Sequence, residues 1–220
     1  GLMSITGEPA GEPSKVGVAL VDVLTGQNAF SGILLALRAR ESSGRGDRVE
    51  VDLMTTLLSA LTNQAASTLA TGVAPARLGN AHPSIAPYEV FAASDRRLVI
   101  AVGNDRQFRA LSGVIGLPLL ADDARFADNE ARVHNRELLR STIESRLCSR
   151  DAAAWVTALT EARVPAGLVN TIDEAFEFAE TLGLGSIAEV TDTGGIRRSR
   201  QVANPIHLSA APPQYRGLPP

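Results

Sequence analysis

Cysteine is almost missing: Cys148 is the only one in 220 residues. One thiol excludes an internal disulfide and any cysteine-rich metal site. It fits a reducing compartment, so the expected location is the cytoplasm. No histidine stands near Cys148 at a useful spacing, so it reads as a small helix residue rather than a nucleophile. Lysine is as scarce. Lys15 is the sole example and every other basic residue is arginine, a bias of composition more than of function. Neither sign of charge dominates, with a formal net charge of −3. That gives no general affinity for polyanions and argues against nucleic acid as a partner. No uninterrupted apolar run reaches the roughly 20 residues that cross a bilayer, so no membrane association is expected. Residues 1–7 lack the basic and apolar regions of a signal peptide.

What is present is ordinary for a folded protein: 45% hydrophobic and 20% charged residues. That suffices for one or two globular domains. Periodicity predicts an α/β chain. Residues 1–17 read as loop, with turn signals at Gly7-Glu8-Pro9 and Gly11-Glu12-Pro13. Residues 25–43 place Ala29, Phe30, Ile33, Leu34 and Leu37 at helical spacing. Arg38 and Arg40 suit that helix's C-terminal end, and Gly44 suits a left-handed cap beyond it. Gly32 inside the helix predicts close approach of another backbone. Residues 48–52 alternate charged and apolar side chains as a strand does, and 53–69 read as one helix.

Residues 70–87, rich in glycine and proline, form a connector of the kind that links elements or lines a substrate. Two strands follow at 88–91 and 98–102, then a helix opened by Asn104 or Asp105, with Asp105 the preferred cap. Asp122, Asp123 and Asp128 match no calcium-loop spacing. Residues 129–147 read as one charged amphipathic helix and 151–162 as another, in which Trp155 and Leu159 pack. Residues 164–169 are extended. Thr171 and Glu174 have capping-box spacing before a further helix. Strands at 186–190 and 197–202 flank a turn at 192–195, and Arg197, Arg198 and Arg200 read as a solvated face.

One residue sits awkwardly in this pattern. Asp22 is a lone carboxylate within Val18-Ala19-Leu20-Val21-Asp22-Val23-Leu24, directly before the first long helix. A carboxylate there is costly unless paired or hydrogen-bonded. It could cap the helix, accepting from free N–H groups of the first turn; failing that, Thr25 is the candidate cap. Alternatively it is a nucleophile at a helix N-terminus, where the helix dipole steadies negative charge on the group attacked.

The run Asp22-x-x-Thr25-Gly26, Gly32-Ile33-Leu34-Leu35-Ala36-Leu37 and Ser43-Gly44-Arg45-Gly46-Asp47-x-Val49-x-Val51 resembles the family III CoA-transferases. That family takes in formyl-CoA and carnitine CoA-transferases and the 2-methylacyl-CoA racemases. The resemblance continues through Gly79-Asn80-Ala81, Val164-Pro165-Ala166-Gly167-Leu168-Val169 and Asn204-Pro205-Ile206-His207-Leu208-Ser209. It implies that Asp22 is the catalytic aspartate. It implies transfer of CoA from an acyl-CoA donor to a carboxylic acid through anhydride and aspartyl-CoA thioester intermediates. No permanently bound cofactor is expected, coenzyme A and acyl-CoA being substrates.

The implied fold is a large nucleotide-fold-like domain, partial here, with a smaller α+β domain, in a homodimer of interlocked chains. Residues 1–78 and 169–220 would belong to the large domain and 79–168 to the small one. The N-terminal half that holds most CoA contacts in the family would precede residue 1, making this chain a fragment with exposed apolar surface. Gly79, Asn80, His82 and Ser84 are candidate substrate contacts. Formyl-CoA transferases carry a glycine run after Gly-Asn-Ala. His82-Pro83-Ser84-Ile85-Ala86-Pro87 replaces it here, which argues against formyl-CoA or oxalate as substrate. A racemase is the competing activity, although Val23-Leu24-Thr25-Gly26 lacks the racemases' glycine-rich stretch. A non-catalytic fragment or subunit is the third reading.

Overall fold

A computed structural model describes residues 1–192, 194–215 and 217. The chain divides into two compact units, Gly1–Gly167 and Leu168–Pro220. In the first, a short helix α1 (Leu2–Ile5) interrupts what the sequence reads as loop, and Leu20–Ser43 form the long helix α2. Helix α2 starts five residues earlier than its periodicity predicts. Its N-cap is Ala19, with no capping side chain, so neither Asp22 nor Thr25 is the cap. The Thr25 hydroxyl instead donates to Val21 O at 2.7 Å, within the helix. Gly44 closes the helix as expected, at φ 68° with its N–H donating to Arg40 O.

No residue of α2 is buried. Val23, Phe30, Ile33, Leu34, Leu35 and Leu37 are all exposed; at 100° per residue these together with Leu20, Val21, Leu24, Ala29 and Ala36 place apolar side chains on every side of the helix. A helix apolar all round is one that a larger core or a membrane covers. By length and a mean hydropathy of 1.4, α2 is long and apolar enough to cross a membrane. The expectation of no such segment fails because the count of consecutive apolar residues stops at polar ones that a helix averages out. The core helix of a soluble protein passes the same test.

Helices α3 (Leu53–Ala60) and α4 (Thr62–Thr71) correct the single helix expected at 53–69. They break at Thr62, whose φ is +44°. Asp52 caps α3, accepting from Thr55 N–H. Residues 48–52 form no strand, since nothing in the described chain pairs with them; their alternation instead lays Val49 against α2. A Cβ on Gly32 would stand 2.7 Å from Val49 Cγ1, so the glycine admits a side chain rather than a second backbone.

The core of the first unit lies between a small sheet and the helices that cover it. Strands β1 (Tyr88–Ala92) and β2 (Arg97–Ala101) form an antiparallel hairpin, and β3 (Ala166–Leu168) lies beyond β2. Helices α5 (Asp105–Val114), α6 (Asn129–His134), α7 (Arg136–Leu147) and α8 (Ala152–Glu161) complete it. Strand alternation turns Phe91, Leu98 and Ile100 inward, against Phe108, Leu111, Ile143, Leu147, Trp155 and Leu159. Asn104, not Asp105, caps α5, accepting from Gln107 N–H. The helix expected over 129–147 breaks at Asn135, which ends α6 and opens α7. Asp122 and Asp123 form ion pairs with Arg109 and Arg125.

In the second unit, α9 (Ile172–Thr181) is followed by the hairpin of β4 (Ile187–Thr191) and β5 (Arg198–Val202). The capping box is present: Thr171 accepts from Glu174 N–H and Glu174 from Thr171 N–H. Losing such a cap costs about 1 kcal/mol. Thr171→Ala is therefore expected to lower stability by about that amount in urea denaturation, with Thr171→Ser retaining most of it. Arg198 and Arg200 are exposed, and Arg200 lies opposite Glu189. Thr193, in the expected turn at 192–195, and the C-terminal residues 216 and 218–220 lie outside the described residues.

Candidate functional site

Asp22 occupies the first turn of α2, exposed to solvent. It lines an open groove of about 410 Å³ with Leu2, Met3, Lys15, Val18 and Leu20 among its walls. The groove thus joins the first helical turn, the extended approach to it and α1. It brings Lys15 to the same hollow, a residue the sequence reading passes over. Where α3, α5, α6 and α9 each have a capping side chain, α2 has none. Leu20 N–H donates to Val18 O, and no side-chain oxygen caps the other N–H groups at this positive dipole end, whose residues Leu20, Val21 and Asp22 line the groove. A carboxylate flanked by backbone donors, at the rim of a space large enough for a small acyl group, can attack a carbonyl whose developing oxyanion meets those donors.

None of the four loop candidates is among the residues that line that groove. Gly79 takes a left-handed φ of +60° and donates its N–H to Gly7 O at 3.1 Å. A side chain there would press on the Glu8 carboxylate, 3.1 Å from where its Cβ would stand. Arg77 strengthens this junction by donating to Glu8 O and Gly11 O. Asn80 is exposed. His82 and Ser84 come together, Ser84 N–H donating to His82 Nδ1 at 3.2 Å. The His82 ring is half-buried and stacks on Tyr88, centroids 5.1 Å apart. Burial, and then the nearby Arg136 charge, holds its imidazole below the usual value.

Behind this loop lies a buried ion cluster. The β1 alternation that turns Phe91 inward also turns Glu89 inward, leaving it 3% exposed. Arg140 donates to Glu89 Oε2 at 2.8 Å, while Arg136 Nη1 stands 3.9 Å from Oε1. Burial pushes the Glu89 carboxyl above its ordinary value, and Arg140 and then Arg136 draw it back only in part. The folded state therefore favours the protonated acid. Glu89's contribution is intact below the unfolded value of 4.5 and is lost as pH rises through the higher folded value. Glu89→Gln should remove that dependence. In thermal melts, wild-type stability relative to the variant should fall as pH rises above the unfolded value of 4.5.

The whole stretch, residues 1–220, matches the profile of CoA-transferase family III. The chain belongs to that family. It is 39% identical over 215 residues to the succinate–glutarate CoA-transferase of Agrobacterium fabrum, covering 98% of this chain and 54% of that protein. It is 38% identical to the acetyl-CoA:oxalate CoA-transferase of Acetobacter aceti, over 95% of this chain and 52% of that one. Among solved structures, a CAIB/BAIF family protein from Brucella suis matches with a TM-score of 0.79 and 37% identity, covering 100% of this chain and 56% of that chain. This family III chain thus spans about half the length of the curated relatives it matches. Its mixed helix–sheet architecture is a partial form of the family fold, as the sequence leads one to expect.

A larger open groove of about 500 Å³ lies between α9 and the β4–β5 hairpin, lined by Asp173, Phe176, Glu177, Arg200 and Val202 among others. None of the family III candidate residues lines it.

Proposed function

We propose that the full-length protein transfers CoA from an acyl-CoA donor to a free carboxylic acid, with Asp22 as the nucleophile. The observation that carries this reading is the placement of Asp22: exposed, in the uncapped first turn of α2, at the wall of an open groove. An Asp22 oxygen attacks the thioester carbonyl and CoA thiolate leaves, giving a mixed anhydride. The thiolate then attacks the Asp22 acyl carbon, forming an aspartyl-CoA thioester and releasing the donor acid. The acceptor carboxylate attacks that thioester, and the expelled thiolate attacks the acceptor's acyl carbon. Acceptor-CoA leaves and the Asp22 carboxylate is restored. Each activated acyl bond is exchanged for another, so the sequence balances without ATP. One difficult exchange becomes several easier ones. Backbone donors near the developing oxyanion supply about 3 kcal/mol each.

The names of the relatives support small dicarboxylic acids as substrates, glutarate and succinate first. Loop 82–87 argues against oxalate, whereas the relative from Acetobacter aceti argues for it, so oxalate belongs in the acceptor panel. Asn80, His82 and Ser84 are proposed acceptor contacts. In this reading residues 1–78 and 169–220 serve the large domain and 79–168 the small one, in a cytoplasmic homodimer.

The test is intact-protein mass spectrometry of the full-length protein with succinyl-CoA, followed by addition of glutarate. A donor-dependent CoA adduct that glutarate discharges is the expected result. Absence of any adduct, together with exchange of the substrate's α-proton in deuterated water, would favour the racemase reading instead.

A further inference from the structure

We propose that Asn129, Arg132 and Arg136 form a polar ladder that fixes the backbone of residues 82–86, and that this fixed backbone sets which carboxylic acid the enzyme accepts. The acceptor role rests on the CoA-transfer reading above and on His82 and Ser84 as substrate contacts.

The three ladder residues are three and four positions apart, and they lie along one side of α6 and the start of α7. Their polar atoms meet every second residue of the loop. Arg136 Nη2 donates to His82 O at 2.7 Å. Asn129 Nδ2 donates to Ser84 O at 2.8 Å. Asn129 Oδ1 accepts from Ala86 N–H at 3.2 Å, and Arg132 Nε donates to Ala86 O at 2.9 Å. The loop bends at Pro83-Ser84 and again at Ala86-Pro87, and α6 and the first turn of α7 together reach its three carbonyls. One backbone bond, from His82 N–H to Tyr88 O at 3.0 Å, ties the loop to β1; side chains hold the three carbonyls and the Ala86 N–H. Loops without such anchors sample many conformations, whereas this one presents His82 and Ser84 from a fixed frame.

Arg136 bears this out in detail. Arg140 already satisfies Glu89 at 2.8 Å, while Arg136 Nη1 stays buried without a hydrogen-bond partner. Arg136 Nη1, 3.9 Å from Glu89 Oε1, adds charge to that cluster without a hydrogen bond to it. The side-chain hydrogen bond it does make goes to His82 O. Arg132, 1% exposed, anchors the ladder's centre and is the least substitutable rung. Asn129 and Arg136 are positioning residues: they touch the loop, not the substrate.

The experiment uses the full-length protein and the variants Asn129→Ala, Arg136→Gln and Arg136→Lys. Arg109→Gln, which breaks an exposed ion pair elsewhere, serves as the control. Hydrogen exchange is read at the Ala86 amide, which Asn129 holds directly, at the His82 amide, which Tyr88 O holds once the loop is in place, and along α7. Steady-state kinetics are read with succinyl-CoA against glutarate, oxalate and acetate. In Asn129→Ala and Arg136→Gln, loop amides should exchange about tenfold faster, the scale of one lost hydrogen bond, while α7 stays protected. Acceptor KM should rise more than kcat falls, and discrimination among the three acids should shrink. Arg136→Lys should recover part of both effects. Faster exchange spread equally through α7 would overturn the ladder, because it would report general loosening. Faster loop exchange with unchanged acceptor KM and unchanged discrimination would overturn the specificity role. A wild-type protein that transfers no CoA would overturn the functional reading and the acceptor role with it, leaving exchange to judge the ladder alone. Should Arg136→Gln fail to fold, the half-buried Asn129 provides the milder variant.

Discussion

Asp22→Ala in the full-length protein is expected to give no CoA adduct with succinyl-CoA and to lower kcat by at least about 10³-fold, the scale on which removal of a covalent nucleophile is felt. The protein itself should barely notice. Asp22 is exposed, caps nothing, and lies in a helical turn that alanine favours. Thermal melts should therefore coincide with the wild type. This pairing distinguishes a nucleophile from a structural acid: an N-cap would lose about 1 kcal/mol of stability on the same substitution. Asp22→Asn makes the contrast sharper, because it keeps the shape and removes the anionic oxygen. It should also form no adduct. Full transfer activity in either variant would remove Asp22 from the mechanism, whatever the family membership.

Asp22 also shows where residues alone stop being informative. Local sequence offers both a cap, the commoner use of such an acid, and a nucleophile, because both place an acid before an apolar helix. The helix start decides against the cap, and that start is hard to read. The predicted helix begins at residue 25, whereas α2 begins at Leu20 in a segment too uniformly apolar to show a face. Elements with their own chemistry were legible. Gly44 ends α2, Thr171 and Glu174 open α9, and the β1–β2 hairpin falls where its alternation put it. Elements set by distant partners were not. The alternation of residues 48–52 promises a strand that finds nothing to pair with. The break at Thr62 carries no glycine or proline to announce it. Asn104 and Asp105 are both good caps on paper, and what separates them is Arg132, 27 positions away, which claims the aspartate. The ladder residues were visible only as polar positions on an amphipathic helix, since their partners lie in another segment.

Arg132 is the clearest case of a residue whose burial cannot be foreseen, and its removal is the second large effect. Only 1% of it is exposed. Its Nε donates to Ala86 O and its Nη1 to Phe126 O, while Nη2 meets Asp105 Oδ1 at 2.7 Å. Its guanidinium lies 4.6 Å from the Phe108 ring centroid. Arg132→Ala should cost about 3–5 kcal/mol. The stranded carbonyls account for about 1–3 kcal/mol each, and the cavity left beside Phe108 adds to that. The ion pair is the lesser part. Asp105 is 69% exposed at its side chain, so water can take up its charge when Arg132 is gone. Asp105→Asn should then cost no more than about 1 kcal/mol, the range of exposed pairs. Arg132→Lys should recover less than half of the loss, because an ammonium cannot reproduce the planar fork or its stacking on Phe108. Urea denaturation of the three variants in parallel tests the ranking. Equal costs for Arg132→Ala and Asp105→Asn would mean that the ion pair, and not the arginine's grip on the two carbonyls, holds the hairpin, α5 and α6 together.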